Sequence, residues 1–243
     1  MLVNFKVLPL GRALLPPSCI VCGNAVRSKL SELYIDICAG CVGDLPINAH
    51  ACAVCAEPLP SSSPASAICG QCQQRRPKYH AAFCAYRYTY PIDHLVRTFK
   101  FHGRLAYGRV LGELLAGALL ERHDEPWPQF IIPVPLADAR FRERGFNQAI
   151  ELGRVVQQRL DIPLRLDLVV RKRATREQTG LDHKQRRRNV RGAFSLTSKP
   201  RAKHVAILDD VVTTGSTVNE LARVLKRARV ERIEVWAVAR TGR

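Results

Sequence analysis

Two adjacent carboxylates, Asp209 and Asp210, are followed after Val211 and Val212 by Thr213, Thr214, Gly215, Ser216 and Thr217. Small and hydroxylic residues, one of them a glycine free in φ, let backbone N–H groups converge on a tetrahedral anion at a helix N-terminus. A carboxylate pair beside such a cradle is costly to bury unless hydroxyls or a cation satisfy it. A ligand with vicinal hydroxyls and a phosphate, such as a ribose phosphate, supplies the hydroxyls, and Mg²⁺ can supply the charge. A simpler reading is a capped helix, since Thr217-Val-Asn-Glu220 fits a capping box. That accounts for Thr217 and Glu220 but leaves the acids and Thr213–Gly215 without a purpose. The stretch is not a P-loop, because no lysine follows the glycine, and no Gly-x-Gly-x-x-Gly occurs.

A second chemistry lies in the cysteines. Eight of the nine form Cys-x-x-Cys pairs: Cys19/Cys22, Cys38/Cys41, Cys52/Cys55 and Cys69/Cys72. At that spacing two thiolates of one knuckle reach the same tetrahedral zinc, and paired knuckles predict two structural Zn²⁺ sites. Four cysteine ligands leave no position open for water, which argues against catalytic zinc. Sequential pairing gives tandem ribbons and alternating pairing a cross-brace; the short loops favour the sequential scheme. The residues between, including Gly23, Gly40, Gly43, Pro46, Pro58, Pro60 and a serine-rich run, are poor core material, so metal must hold this segment. Cys84 is left over and reads as a small hydrophobe.

The elements that must position these groups follow from apolar patterning. Val205–Leu208 reads as a buried strand that the two acids stop, and open α/β sheets bind ligands at the carboxyl ends of their strands. Phe83–Tyr90 reads as a strand, Pro91–Phe99 and Leu105–His123 as helices separated by Lys100-Phe101-His102-Gly103. Phe130–Val134 is a second buried strand. It leads through Pro133-Val-Pro135-Leu136 to Arg140, Arg142, Arg144 and Gly145-Phe-Asn-Gln148, where two prolines and a glycine suit a chain leaving a sheet abruptly. Ala149–Leu160 is amphipathic. Leu164–Val170 and Ile233–Ala239 complete the strands, with Arg223–Arg232 a basic helix end between them. Lys172–Gly180 reads as a mobile loop inside a segment, Arg165–Arg191, with ten basic residues in 27.

With 243 residues the chain can bury a sizeable core plus a small module, divided by composition at Lys78/Tyr79 into residues 1–78 and 79–243. Leu105–Leu120, the longest apolar stretch, is broken by Tyr107, Arg109 and Glu113, so no membrane insertion is expected. Nor is a signal-peptide core, since Pro9, Pro16 and Pro17 interrupt the N-terminus; a cytoplasmic protein is expected. The formal net charge is +17, from 38 Lys and Arg against 21 Asp and Glu. Two Zn²⁺ on eight thiolates would subtract about four charges, and polyanionic partners remain implied. Seven basic and four acidic residues fall in the first 80, so the excess lies in the remainder.

Val205–Thr217 resembles the phosphoribosyl diphosphate (PRPP) motif of type I phosphoribosyltransferases. There the acids, matching Asp209 and Asp210, hold the ribose hydroxyls and contribute to catalysis, and the loop, matching Val211–Thr217, holds the 5′-phosphate. Together with Pro133-Val-Pro135 and Arg144-Gly-Phe-Asn-Gln148, and with the cysteine pairs, the whole chain resembles the ComF family, a double zinc ribbon preceding such a transferase-like domain. The resemblance implies an α/β fold with a parallel sheet and flanking helices, and Mg²⁺ with PRPP. It also implies a diphosphate turn at Val134, Pro135 and Leu136 with Arg144 beside it, and a lid carrying Lys172, Arg173 and Arg176. Members are associated with natural transformation or the use of external DNA, their chemistry unsettled. The function implied is phosphoribosyl transfer to an unknown acceptor. The alternative is a non-catalytic single-stranded DNA-binding accessory with PRPP as a ligand or relic, and a third possibility makes the ribbons a docking arm for a helicase-like partner.

Overall fold

The computed structural model describes residues 17–26, 35–122, 126–172 and 190–242. Backbone packing divides the chain into two compact units, Met1–Leu45 and Pro46–Arg243. In the small unit the Cys19 N–H donates to the Asn24 carbonyl (2.7 Å) and the Gly23 N–H to the Cys19 carbonyl (2.8 Å), with Gly23 at φ +77°. Helix α1 (Ala39–Gly43) begins directly after Cys38.

The large unit opens with the same knuckle. The Cys52 N–H donates to Glu57 (2.8 Å) and the Ala56 N–H to Cys52 (2.9 Å), with Ala56 at φ +56°, and α2 (Gly70–Gln74) begins directly after Cys69. This second knuckle is the more buried of the two: Cys52, Val54, Cys55, Ala56 and Cys72 are all 6% exposed or less. It lies along β1 (Ala81–Arg87), whose Ala82 N–H donates to Val54 and Arg87 N–H to Pro46. Compactness therefore divides the chain at Leu45/Pro46, while composition changes at Lys78/Tyr79. A knuckle stabilised by a metal needs few apolar residues of its own, yet it can still be packed against a sheet.

The sheet has four parallel strands in the order β1, β6 (Arg232–Arg240), β5 (His204–Val212), β2 (Phe130–Pro133). Its two nine-residue central strands are almost wholly buried, as parallel strands covered on both faces must be. Helix α4 (Leu105–Arg122) packs against both α3 (Ile92–His102) and α6 (Gln148–Leu160), and α4 and α6 lie on the sheet, while α7 (Ser216–Arg227) packs on β5 and β6. The α4–α6 approach is close: a Cβ on Gly112 would lie 2.7 Å from that of Val155, so only glycine fits there. A two-stranded antiparallel ribbon, β3 (Val169–Arg171) with β4 (Phe194–Leu196), completes the described elements together with the short α5 (Asp138–Arg144). No described helix is long and apolar enough to cross a membrane.

Several element ends shift by a few residues, the strand read over Phe83–Tyr90 being Ala81–Arg87 and the helix read to Arg232 ending at Arg227, and three differences change the architecture. β5 does not stop at Leu208 but runs through both aspartates to Val212, because β6 pairs beside it as far as Val212–Arg240. The Lys100–His102 stretch is the last turn of α3, closed by Gly103 in the left-handed conformation (φ +61°), and not a linker. Leu164–Val170 splits into a single parallel bridge, Leu164 with Ile131, and then β3.

Candidate functional site

The site arises where two neighbouring strands have unequal lengths. β2 pairs with β5 only as far as Pro133–Leu208, and the last bond on that side is the Val134 N–H to the Leu208 carbonyl (2.9 Å). Beyond it the chain turns away through Val134–Leu136, leaving Asp209 to Val212 without a strand neighbour on that edge among the described residues. Asn147 holds this turn. Its Nδ2 donates to the Val134 carbonyl (3.1 Å) while its Oδ1 accepts from the Ala149 N–H (2.9 Å) and caps α6.

A cleft of ≈ 380 Å³ opens in that gap. Asp209, Asp210, Val211, Val212, Thr213, Gly215, Ser216 and Thr217 form one wall, and Val134, Pro135, Leu136 and Arg144 face them. Of the residues expected in the phosphate loop, Thr214 is not part of this wall and lines a neighbouring groove. Gly215 sits at φ +71° directly before α7, a conformation that favours glycine, and a Cβ there would meet nothing closer than 3.5 Å. Within the turn the Thr214 hydroxyl donates to Ser216 Oγ (2.8 Å) and accepts from the Ser216 N–H (3.3 Å). No protein group among the described residues accepts from the Thr213, Thr214 or Gly215 amides. Glu220 is no capping partner: it accepts from the Gly192 N–H (2.7 Å) and pairs with Arg223 (2.6 Å).

The acids are partly satisfied by their own backbone. Asp209 Oδ1 accepts from the Asp210 N–H (2.9 Å) and Asp210 Oδ1 from the Val211 N–H (2.6 Å). Asp210, 6% exposed, pairs with Lys100 Nζ at 2.7 Å. Burial, then the neighbouring Asp210 carboxylate, push the Asp209 carboxyl up to about 7, against the pull of Lys100. A carboxyl so placed gains from hydroxyl donors or an added cation. Basic residues that the sequence reading did not single out as site residues close the cleft. Arg171 Nη1 donates to the Pro135 carbonyl (3.4 Å), and Arg140, Lys100 and Tyr88 also line it. Arg144 lies 5.3 Å over the Phe101 ring. Lys172 is exposed outside the cleft, and Arg173 and Arg176 lie outside the described residues.

The cysteines fall into two groups, Cys19, Cys22, Cys38, Cys41 and Cys52, Cys55, Cys69, Cys72, the Sγ atoms of each within 4.8 Å of one another. The grouping is sequential, not a cross-brace. Sulfurs at the corners of a zinc tetrahedron lie about 3.8 Å apart; here Cys22–Cys38 is 3.7 Å and Cys55–Cys69 3.6 Å, so both sets fit Zn²⁺. Burial raises the Cys52 thiol, but amides of Cys69, Cys55 and Val54 outweigh it and bring it down to about 7, which favours the ligating thiolate.

One buried side chain ties the second cysteine group to the cleft. Arg240, 1% exposed at the end of β6, donates from Nε to the Cys55 carbonyl (3.1 Å) and from Nη1 to the carbonyls of Val212 (2.9 Å), Thr213 and Thr241 (3.0 Å). Its Nη2 pairs with Glu57 at 2.5 Å. Its one mark in the sequence is that an arginine follows directly on the apolar run Val235–Ala239.

Residues 10–73 match the family model described as double zinc ribbon domain, and residues 147–243 that described as phosphoribosyl transferase domain. Among solved structures, that of glutamine PRPP amidotransferase from B. subtilis overlaps 54% of this chain and 26% of its own at 17% identity and TM-score 0.35. Sheet, cleft and cysteine groups define a double-zinc-ribbon protein with a phosphoribosyltransferase-type domain. The chain is 38% identical over 177 residues to competence protein F of Haemophilus influenzae, covering 70% of this chain and 77% of that one. It is 34% identical over 226 residues to DNA utilization protein YhgH of Salmonella typhi, covering 92% and 90%. It belongs to the ComF family of competence and DNA-utilization proteins.

Proposed function

We propose that the cleft binds PRPP and that the protein transfers its phosphoribosyl group to an acceptor in the handling of external DNA. The observation that carries this is one cleft wall that joins an acidic pair, Asp210 buried and Asp209 half-buried, to a hydroxylic turn whose first amides have no acceptor among the described residues. Asp209 and Asp210 accept from the ribose hydroxyls, and the amides and hydroxyls of Thr213–Thr217 cradle the 5′-phosphate. The Val134–Leu136 turn, with Arg144, Arg140 and Arg171 around it, faces the diphosphate.

The two cysteine groups are the only sets of three or more metal-capable side chains among the described residues. The acidic pair therefore fits Mg²⁺ only as an ion that arrives with PRPP oxygens, where it neutralises leaving charge. The C1′–O bond to diphosphate breaks with its electron pair leaving on diphosphate, and the acceptor's lone pair forms the new bond to C1′. Water must be excluded from such a step, and we assign that task to the Lys172–Gly180 lid, of which only Lys172 is described. Residues 1–78 act as the zinc module and 79–243 as the substrate module. We place the protein in the cytoplasm, where its thiols stay reduced.

Titration of Asp209→Asn/Asp210→Asn with PRPP and Mg²⁺ in a calorimeter tests the reading. Heat of binding is expected from the parent protein and none from the variant; unchanged affinity refutes the assignment. A second reading, contact with single-stranded DNA, is favoured by the net charge of +17 and is compatible with the first. A helicase-like partner remains a proposal for the ribbons.

A further inference from the structure

A second concavity, ≈ 480 Å³, lies between the second cysteine knuckle and α7. We propose that it holds the phosphate backbone of a single strand of nucleic acid, an inference that rests on the nucleic-acid reading above and gives it a place.

Four of its cations, Arg75, Arg76, Lys78 and Arg191, are exposed, and none is paired with a carboxylate among the described residues. The one acid in the lining, Glu220, is already satisfied by Arg223 and the Gly192 amide. Like charges gathered without counter-charge repel, and an arriving polyanion removes that cost while releasing its own counterions.

What separates this groove from an ordinary solvated basic run is that its backbone is fixed from several sides. Arg75 closes α2, its N–H donating to the Gln71 carbonyl (2.8 Å), so the ligand segment Cys69–Cys72 sets where Arg75 and Arg76 stand. The Lys78 N–H donates to Asn219 Oδ1 on α7 (2.7 Å), and the Gly192 N–H to Glu220 pins Arg191 to the same helix. Arg75-Arg76-Pro77-Lys78, which in sequence merely ends the first module at the Lys78/Tyr79 composition boundary, is thus one wall of a groove.

The aromatic ring in this lining, Tyr79, is only 5% exposed and gives bases no stacking face. The groove therefore reads the backbone and not the sequence. Its cations are spread over the knuckle exit, the approach to β4 and α7, an arrangement that suits successive phosphates along a strand and not one small anion. The turn Thr214–Ser216 belongs to its lining as well, back to back with the PRPP cleft.

The test is fluorescence anisotropy of a labelled oligo-dT with the full chain, zinc loaded, over a range of salt. Arg75→Glu/Arg76→Glu/Lys78→Glu is expected to weaken binding by about tenfold or more. The log–log salt slope should fall by roughly 2, at about 0.7 for each phosphate that the three parent side chains neutralise. Zinc content and PRPP affinity, measured on the same variant, are expected to stay at the parent values. If affinity and slope are unchanged while charge reversal of Arg186–Arg188 abolishes binding, the groove assignment is wrong and the nucleic-acid reading stands. Displacement by inorganic phosphate at concentrations matching the oligonucleotide would also overturn it, in favour of a small-anion site. If the parent protein does not bind the oligonucleotide at all, both readings fall.

Discussion

At the scale of single residues, folding alone disfavours the charge on Asp209. Because the folded Asp209 carboxyl is raised to about 7, the unfolded chain ionises it first as pH climbs from about 4. The penalty is absent below that point, grows up to about 7 and stays full above it. Asp209→Asn should therefore raise stability at about pH 8, on the order of 2 kcal/mol, with the gain vanishing near pH 4. Urea unfolding at the two pH values measures this, and an equal effect at both would show that Asp209 is not held against its charge. Lys100→Met should do the opposite, costing about 2 kcal/mol near neutral pH by leaving Asp210 buried without its ammonium. Asp209 and Asp210 were legible in sequence because a carboxylate pair at a strand end has few structural uses. Lys100 was not, since its partner lies 110 residues further on in the chain and nothing local marks it.

At the scale of elements the fold was legible wherever an apolar run was long enough to bury. Val205–Leu208, Phe130–Val134 and Ile233–Ala239 all became strands of one parallel sheet. What failed was the rule that charge ends a strand: β5 carries its acids and β6 carries Arg240 because partners outside the strand satisfy them. The simpler capping-box reading of Thr217–Glu220 is not what forms, since Glu220 pairs with Arg223 and accepts from Gly192 instead. Arg240 spans from the carbonyl of Cys55 to the carbonyls of Val212 and Thr213, so it fixes the turn whose amides we assign to the phosphate. Arg240→Met is expected to cost about 3 kcal/mol of stability, taking the ion pair from Glu57 and the donor from several buried carbonyls, and to weaken PRPP binding. Arg240→Lys should recover part of the stability and less of the affinity, since one ammonium cannot span those acceptors. Wild-type affinity in a folded Arg240→Met protein would show that the strut does not position the turn.

At the scale of the whole molecule, two sequential cysteine groups predict two independent metals. Metal analysis of the intact chain should give two zinc ions, and Cys22→Ser with Cys41→Ser should leave one; loss of both would contradict the grouping. The sequence could order the cysteines into pairs but not settle which pairs meet, because that depends on how each short loop folds back. It also could not reveal that the second knuckle packs along β1, since metal-held segments carry little apolar signal. The net charge of +17 favours polyanionic partners and leaves open where they would bind. The most direct test of the central claim is a crystal structure of the protein with PRPP and Mg²⁺ bound. It should show the 5′-phosphate on the amides of Thr213–Ser216 and the ribose hydroxyls on Asp209 and Asp210. A cleft that stays empty at saturating PRPP, or a ligand held elsewhere, would contradict it.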